Sequence, residues 1–497
     1  MTTSFRLRAP MLALACFVPL AASASTACDR LLHQFGPALA DATCVDSADL
    51  TTTNPDTTPA NNSIPGLPAF AFTPQTDRAT ISPSAAKRAP IAKVVPGLQL
   101  NGRIASDPTG QARFLLRLPQ DWNGRLVVAG ASGTRSEFNG DFSWSDYVVQ
   151  KGYAYASQNK GVLNLQLSTA ADPLACRLNP VSPVFVNFYD DGANQPFSRW
   201  AEFMVKAARL ARQGVISNYG RQPRFVYAVG TSNGGYQVRR AIETAPELFD
   251  GGVDWEGTFV DEHAPNLLTD LPPAVLNYAD YAAGGLDANG TAAKNIRAAG
   301  YPPDIVASPT STLWTSYRAQ FWEVTQCQWQ KRLDASYATY APPPGGGTGT
   351  YNYVARLSAS DVGAQVASFA TTGRIQRPLI TVAGTMDALL PIDHHARAYA
   401  RKVAAAQSSN DGWGPHHDER DAAYRLYEVQ NGNHIETFQD SFPQLALIEP
   451  VAHSAFDLLV AHVETRAALP ASQCVPKGGG IAASPGQPGH CAALYAP

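Results

Sequence analysis

The sequence predicts an α/β fold in which helices flank a mostly parallel sheet. Short apolar runs alternate with segments whose apolar residues recur at helical spacing. This alternation is typical of parallel sheets, because parallel strands need crossover connections that are usually helical. One of the runs leads through a glycine-framed serine into a helical segment. The alternation then fails between residues 256 and 358, which predicts an insertion within the sheet-forming chain.

The individual elements follow from their side-chain patterns. Ser198 is placed to begin a helix, a second helix follows the glycine-framed serine, and residues 444–466 predict a closing helix. Residues 47–92 are rich in Thr, Pro, Asn and Ser, which favours an extended linker. The predicted strands cover residues 111–118, 125–129, 152–157, 224–229, 378–383 and 424–429.

The same patterns divide the chain into segments with different expected roles. The insertion is expected to be a lid, because it is rich in Tyr, Trp, Pro and Gly and follows the glycine-framed serine. The expected segments are a signal peptide over 1–24, a cysteine-closed segment and linker over 25–92, a catalytic domain over 93–255 and 359–470, the lid over 256–358 and a C-terminal tail over 471–497.

The N-terminus predicts export. Arg6 and Arg8 precede an apolar core over residues 11–20, and Ala22, Ser23 and Ala24 provide small residues for cleavage near Ala24. This apolar core is too short to span a bilayer, and no later stretch reaches the length that a membrane span needs. We therefore expect a secreted or periplasmic protein without a membrane anchor.

Cysteine usage fits an oxidising compartment. Six cysteines remain after the predicted cleavage, and an even number predicts up to three disulfides while leaving the connectivity open. None of the cysteines forms a cluster with zinc-site spacing, so no metal is expected. Proximity along the chain favours pairing Cys28 with Cys44 and Cys474 with Cys491, which would leave Cys176 with Cys327.

Composition excludes some classes of partner. The chain has 497 residues, of which 45% are hydrophobic and 16% charged, so it can bury a large core. Its formal net charge of −3 provides no basic surface for nucleic acid or an anionic membrane. The expected partner is a small-molecule or oligomeric substrate.

Ser232 is the strongest functional signal. It stands in Gly230-Thr231-Ser232-Asn233-Gly234, after an apolar run and before a helical stretch. This is the pattern of a nucleophile elbow, in which a sharp strand-to-helix turn exposes the serine hydroxyl. The pattern predicts a serine hydrolase of the α/β-hydrolase fold. The alternative is a glycine-rich turn with a solvated serine.

A serine nucleophile needs a base and an acid that orients the base. In this fold the acid and then the base follow the serine in chain order, each after a core strand. Asp387 follows the predicted strand at 378–383, and His434 follows the one at 424–429, so we assign them as acid and base. Asp393 is expected to cap a helix instead, with His394 on that helix's polar surface.

The other histidines are weaker candidates. His395 is expected beside His394 on the polar surface of the same helix. His416 and His417 lie in a loop without a third ligand at diagnostic spacing, so a paired-histidine metal site is not expected. His453 and His462 fall within the closing helix and are expected to serve in packing or to lie on the surface.

Backbone donors must bind the oxyanion of the tetrahedral intermediate. One is expected to be the N–H of Asn233, directly after the nucleophile, and the other to come from Gly133 or Ser132, in the loop after an early strand. Candidates for substrate contact are Ser132 and, within the insertion and at its base, His263, Trp314 and Trp322. The alternative is that the aromatic residues pack in a core.

Several motifs together resemble the tannase and feruloyl esterase family. That resemblance implies a secreted α/β-hydrolase with a lid, cleaving carboxylic esters that are commonly esters of aromatic acids. The motifs occur in the family's order at residues 118–125, 152–157, 219–225, 230–235, 246–251 and 384–387.

This chain departs from that family in two places. The family usually has a disulfide between a cysteine before the serine and one after the histidine, where this chain has Thr231 and Ile435. The joint loss implies that Ser232 and His434 are neighbours in a divergent branch. The family's lid often carries an Asp-rich calcium loop, and residues 286–290 hold too few carboxylates to transfer that site.

The resulting expectation is a secreted serine esterase that needs no cofactor. The Ser-Asn-Gly-Gly elbow also resembles that of secreted 3-hydroxybutyrate oligomer hydrolases, so a hydroxyacid oligomer or another polyester is the rival substrate. Peptidase activity is a further option. A different class of function would be a non-catalytic ligand-binding protein on a hydrolase scaffold.

Overall fold

The computed structural model describes residues 26–58, 77–79, 81–133, 136–162, 165–166, 176–177, 185–186, 197–337, 350–409, 422–486 and 489–497. The predicted signal peptide, part of the predicted linker and the pair His416 and His417 lie outside these residues.

The strands form one large sheet and two small ones. The large sheet has ten strands in the order β1-β2-β3-β5-β4-β9-β10-β13-β14-β15. β6, β8 and β7 form a small sheet, and β11 pairs with β12. The strand bounds are β1 Leu39–Ser47, β2 Gly97–Ile104, β3 Arg113–Pro119, β4 Arg125–Gly130, β5 Ala154–Gln158, β6 Leu165–Gln166, β7 Cys176–Arg177, β8 Phe185–Val186, β9 Phe225–Thr231, β10 Gly251–Trp255, β11 Val306–Ser308, β12 Ser311–Thr312, β13 Leu379–Gly384, β14 Tyr424–Val429 and β15 Gln473–Val475.

The α-helices connect these strands. Short 3-10 turns occur at Pro55–Thr57, Ala85–Lys87, Pro246–Leu248 and Glu436–Asp440, and π-helical turns at Asp141–Ser145 and Arg318–Trp322. The helix bounds are α1 Ala27–Phe35, α2 Asp146–Val149, α3 Ser198–Tyr219, α4 Asn233–Thr244, α5 Leu267–Ala283, α6 Thr291–Ala298, α7 Leu313–Tyr317, α8 Glu323–Leu333, α9 Tyr353–Leu357, α10 Val362–Ala367, α11 Ala396–Ser408 and α12 Glu449–Thr465.

The large sheet is parallel from β5 to β15, and the pairs β1–β2, β2–β3 and β3–β5 are antiparallel. From β2 onward, β4 and β5 are exchanged relative to chain order, and the remaining strands follow in sequence. This strand order, with helices between parallel strands and an elbow after β9, is that of the α/β-hydrolase fold. The predicted fold class is confirmed.

Apolar side chains fill both faces of the sheet because successive residues of a strand point to opposite sides. In β4, Leu126 and Val128 pack against one face together with α3 and α4. Val127 and Ala129 face the other side, where Phe456 of α12 packs. All four β4 side chains are fully or almost fully buried, as expected for a strand covered by helices on both faces.

The insertion lies between β10 and β13 and is mainly helical, with α5 to α10 and the short β11–β12 pair. Its aromatic side chains are packed together with residues of the catalytic segments in one large buried cluster. That cluster includes Tyr236 of α4 and Ile435, directly after His434. The insertion therefore packs on the part of the sheet domain that carries the predicted site.

The sheet extends beyond the predicted catalytic segments at both edges. β1 belongs to the N-terminal cysteine-closed segment, and β15 belongs to the C-terminal tail. The disulfides Cys28–Cys44 and Cys474–Cys491 close these two edge segments. Cys176–Cys327 links β7 to α8 of the insertion. These are the three pairs that chain proximity favoured.

None of the described helices combines the length and apolar character needed to cross a bilayer.

Candidate active site

Ser232 lies at the tight junction between β9 and α4. Its backbone has φ +62° and ψ −123°, a left-handed conformation that is uncommon for a residue with a side chain. The Ser232 N–H donates to the carbonyl of Trp255 at 2.9 Å, which ties the turn to β10. Ser232 is 6% exposed. This geometry is that of a nucleophile elbow.

Glycines allow the elbow to lie close to the loop after β4. A Cβ on Gly234 would lie 2.4 Å from the carbonyl oxygen of Gly130, and one on Gly230 would lie 2.4 Å from the Gly234 backbone. Real Cβ contacts are longer than these distances. The absence of side chains at these positions therefore brings the start of α4 against the end of β4.

Asp387 and His434 lie on the loops that follow the adjacent strands β13 and β14. Oδ2 of Asp387 is 2.8 Å from Nδ1 of His434, and both side chains are 2% exposed. Oδ1 of Asp387 accepts the backbone N–H groups of Leu389 and Leu390 at 2.8 and 2.7 Å. Because the ionised carboxylate can only accept, Nδ1 carries the proton and Nε2 remains available as a base.

A second carboxyl group lies beside this pair. Glu256 directly follows β10, is 3% exposed, and has Oε2 3.5 Å from Nδ1 of His434. Burial, followed by the nearby Asp387 carboxylate, raises the pKa of Glu256 well above its ordinary value. Among the described residues, Glu256, Asp387 and His434 form the one group of three possible metal-ligating side chains, with ligand atoms within 4.8 Å of one another.

The expected oxyanion donors lie where the elbow meets the loop after β4. Asn233 begins α4, and a Cβ on Gly133 would lie 3.7 Å from Nδ2 of Asn233. The N–H of Ser132 donates to Oδ1 of Asn139 at 3.3 Å, and its hydroxyl donates to the carbonyl of Thr231 at 2.9 Å. Ser132 thus anchors the loop to the elbow, which favours Gly133 over Ser132 as the second donor.

Buried polar side chains hold this loop in place. Nζ of Lys160 donates to the carbonyl of Ser132, although Lys160 is only 2% exposed. Nε2 of Gln237 donates to the carbonyls of Ala131 and Asn233, at 2.8 and 3.1 Å, and so spans the loop and the elbow. Sequence analysis missed Lys160 and Gln237, because no motif marks either residue.

The insertion makes direct contact with the loops that carry Asp387 and His434. The hydroxyl of Tyr317 donates to Oδ1 of Asn433, next to His434, at 2.8 Å. The indole N–H of Trp322 donates to the carbonyl of Ala388, next to Asp387, at 2.6 Å. The indole N–H of Trp314 donates to the carbonyl of Pro302 at 3.1 Å.

The predicted substrate contacts in the insertion and at its base lie in different environments. Trp314 and Trp322 are almost completely buried in the aromatic cluster of the insertion. Those positions favour packing and, for Trp322, support of the Asp387 loop. His263 is at the surface, with 85% of its side chain exposed and Nε2 3.8 Å from Glu262.

The expectations for Asp393, His394 and His395 need correction. α11 begins at Ala396 and has no side-chain cap, and Asp393 instead forms an ion pair with Arg397 at 3.0 Å. His395 is buried rather than exposed, because both histidines reach Asp270 of α5 in the insertion, at 2.9 Å from His394 and 3.1 Å from His395.

The two histidine rings respond differently to this position. The hydrogen bond to Asp270 raises the pKa of His394, while burial lowers the pKa of His395. Nδ1 of His395 accepts the N–H of Phe259 at 3.0 Å, so its Nε2 carries the proton that is donated to Asp270.

The fold and the site geometry define an α/β-hydrolase scaffold with a serine at the elbow and a buried His–Asp pair on later strand ends. Residues 346–493 match the family model for 3HB-oligomer hydrolases. This segment contains Asp387 and His434 and does not contain Ser232.

Curated relatives point to the same family. The chain is 34% identical over 131 residues to the D-(-)-3-hydroxybutyrate oligomer hydrolase of Burkholderia thailandensis, and 30% identical over 132 residues to that of Burkholderia ambifaria. In both cases the match covers 25% of this chain and 17% of the relative. The similarity therefore concerns a limited segment of much longer proteins.

Three of the solved structures with a similar fold are fungal esterases. Feruloyl esterase B from Aspergillus oryzae is 14% identical, with 86% of this chain and 88% of that chain covered, at a TM-score of 0.45. An esterase from A. oryzae is 16% identical, with 86% of this chain and 87% of that chain covered, at a TM-score of 0.49. Tannin acyl hydrolase from Aspergillus niger is 15% identical, with 82% of this chain and 89% of that chain covered, at a TM-score of 0.40. The fold assignment itself rests on the strand order. The curated relatives are named as hydrolases of 3-hydroxybutyrate oligomers, which are esters.

Proposed function

We propose that this protein is a secreted serine esterase that hydrolyses carboxylic esters through an acyl-enzyme. The observation that carries the proposal is the hydrogen bond between Asp387 and His434, buried at the ends of two adjacent strands, in a sheet whose elbow presents Ser232. Catalytic triads of this fold draw their members from the same three places in the same chain order.

The mechanism follows from the chemistry of these groups. Oγ of Ser232 attacks the ester carbonyl while Nε2 of His434 takes the hydroxyl proton. The Asp387 carboxylate stabilises the imidazolium that forms. The N–H groups of Asn233 and Gly133 stabilise the oxyanion, each such donor being worth about 10²–10³ in turnover. His434 then protonates the leaving alcohol, and water releases the acid by the same steps.

The substrate class we favour is an oligomer of a short hydroxyacid, such as 3-hydroxybutyrate. Its support is the match of residues 346–493, because this segment supplies the acid and the base of the proposed triad. Esters of aromatic acids, which the tannase-like motifs implied, are the second candidate. In both cases the insertion would act as a lid, since it packs against the loops that carry Asp387 and His434.

Ser232→Ala tests the mechanism. The variant is expected to lose ester hydrolysis and to retain the circular dichroism spectrum and melting temperature of the parent. Ser454→Ala is a matched control, because Ser454 is exposed on α12 and its hydroxyl donates to the carbonyl of Pro450, within the same helix. Turnover that persists in Ser232→Ala would refute the proposed nucleophile.

Labelling separates an enzyme from a binding protein on the same scaffold. A fluorophosphonate probe should modify the parent at Ser232 and leave Ser232→Ala unmodified, since only an activated serine reacts. An unlabelled but folded parent protein would support the ligand-binding alternative.

Comparative kinetics then identifies the substrate class. The values of kcat/KM for a 3-hydroxybutyrate dimer and trimer should exceed those for methyl ferulate, methyl gallate and a terephthalate monoester by at least about tenfold. The reverse order would assign the site to aromatic esters. A peptide substrate included in the same series tests peptidase activity.

Export is the remaining part of the proposal. Three disulfides support an oxidising compartment. The basic and apolar N-terminal residues support cleavage near Ala24. Mass spectrometry of the protein recovered from the culture medium or the periplasm should show a mature chain that begins at Ser25.

A further inference from the structure

Glu256 occupies a position that packing alone does not explain. It directly follows β10 and has φ +52°, in the left-handed region that residues with side chains seldom adopt. Its N–H donates to the carbonyl of Val382, and its Oε1 accepts the N–H of Gly384 at 2.9 Å. Both partners belong to β13, so the carboxyl group is fixed against the strand that leads to Asp387.

The other oxygen of Glu256 points to the proposed triad. Oε2 is buried, lies 3.5 Å from Nδ1 of His434, and has no hydrogen-bond partner among the described residues. One carboxyl oxygen of Glu256 lies within 4.8 Å of a carboxyl oxygen of Asp387. A buried polar atom without a partner is costly, so its protonation state has to be compatible with this environment.

The hydrogen bonds decide which of the two carboxyl groups is ionised. Asp387 accepts two backbone N–H groups and the proton of His434, whereas Glu256 accepts a single backbone N–H. Two buried carboxyl groups this close do not both ionise readily. The negative charge therefore resides on Asp387, and Glu256 holds a proton.

The other groups that face Glu256 favour the same assignment. The carboxyl of Glu436 adds to the electrostatic penalty for ionising Glu256, and the hydroxyl of Tyr317 lies close enough to interact with Glu256. Burial is the largest cause of the raised pKa of Glu256. His434 is the one group in this set that can become positively charged during turnover.

We propose that Glu256 is a positioning residue of the triad: as a neutral carboxylic acid it accepts the N–H of Gly384 and so holds the strand end that leads to Asp387, and when Asp387 is removed it becomes the acid that supports His434. This inference rests on the proposed esterase function. It identifies a second acid at the end of β10, which is the neighbour of β13 in the sheet, the strand that leads to Asp387.

Two effects follow from the proposal. Glu256→Leu should lower kcat about tenfold with little change in KM, because the N–H of Gly384 loses its buried acceptor and the strand end that leads to Asp387 is held less firmly. Glu256→Gln should recover part of this loss, because its amide oxygen can also accept the N–H of Gly384. Glu247→Gln is the control, since Glu247 is 64% exposed and far from the site in the 3-10 turn after α4.

The decisive experiment compares Asp387→Ala with the double variant Asp387→Ala/Glu256→Gln. In the single variant Glu256 can supply the negative charge, but only after it loses its proton. The kcat of the single variant should therefore rise from pH 6 to pH 9, and its ratio to the kcat of the double variant should increase at least about tenfold over this range. If Asp387→Ala does not fold, Asp387→Asn allows the same comparison.

The outcomes separate this inference from the esterase proposal. A ratio that stays within about twofold at all pH values would overturn the role of Glu256. Ser232→Ala, tested in parallel, must abolish activity in every background, and persistent activity there would refute the esterase mechanism instead. An infrared difference spectrum between the parent and Glu256→Gln should contain a protonated-carboxyl band, and its absence would also contradict the proposal.

Discussion

Gly234→Ala is the sharpest test of how the fold assembles the proposed oxyanion site. Gly234 is the second residue of α4, and a Cβ at this position would lie 2.4 Å from the carbonyl oxygen of Gly130. Ordinary Cβ contacts begin at 3.4 Å, so the two backbones must separate by about 1 Å. Both partners are backbone atoms on rigid elements, and neither can rotate away.

The displacement acts on catalysis more than on folding. It moves the loop after β4, which carries Gly133, away from Asn233, and a misplacement of about 1 Å costs about 10²-fold in rate. The free energy of unfolding should fall by about 1–3 kcal/mol from overpacking. That loss is partly offset by about 1 kcal/mol from the better helix propensity of Ala.

The assay is kcat and KM for a soluble nitrophenyl ester, together with urea denaturation. We expect kcat to fall about 10²-fold while KM changes little, because the oxyanion forms only in the transition state. Gly480→Ala is the matched control, since a Cβ on Gly480 meets nothing within 4 Å. If Gly234→Ala retains turnover within about threefold of this control, the close approach of the two backbones is not what positions the donors.

Three further predictions concern the surroundings of the site. Lys160→Met should lower kcat about tenfold in the same ester assay, because its buried ammonium group donates to the carbonyl of Ser132, in the loop that carries Gly133. Deletion of residues 492–497 should lower the free energy of unfolding by about 2–3 kcal/mol in urea denaturation and reduce kcat, because the backbone of this segment forms four hydrogen bonds with described residues that precede Asp387 and His434. Burial lowers the pKa of His453 to about 4, so its neutral form is required for folding. Its contribution to stability is complete above about pH 6.5 and is lost as the pH falls towards 4; His453→Gln should remove this part of the pH dependence.

Local patterns were sufficient to predict the elbow and six of the ten strands of the large sheet. The strands over 224–229 and 378–383 are mostly apolar because helices cover both faces, so they stand out in the sequence. The glycines around Ser232 are required by close backbone approaches, which links the motif directly to the geometry. Placing Asp387 and His434 needed only the rule that functional side chains follow strand ends.

Glu256 was missed because the strand before it does not have an apolar pattern. β10 contains Asp254, which is fully buried and forms an ion pair with Arg239 at 2.5 Å. Because of this charged residue, β10 does not have the apolar pattern of a buried strand. The sequence therefore does not indicate that Glu256 follows a strand end. The partner of a buried charge is a tertiary contact, and periodicity does not reveal it.

The corrected histidines have a similar cause. Sequence places His394 and His395 before a surface helix, but Asp270 lies more than one hundred residues earlier in the insertion. Only the packing of the insertion on the sheet domain brings these groups together. In the same way, no local pattern indicates that Trp322 is buried with its indole N–H bonded to the carbonyl of Ala388.

The contacts around His434 indicate how its loop is held in the absence of the disulfide that is usual in the tannase and feruloyl esterase family. Ile435 takes one cysteine position and is buried in the cluster of the insertion. Thr231 takes the other, and its carbonyl accepts the hydroxyl of Ser132. The base loop is held by Tyr317 of the insertion on one side of His434 and, through Asn431, by the C-terminal tail on the other. Several weak contacts thus fix the loop where one covalent link would, and both the insertion and the tail become necessary for the geometry of the base.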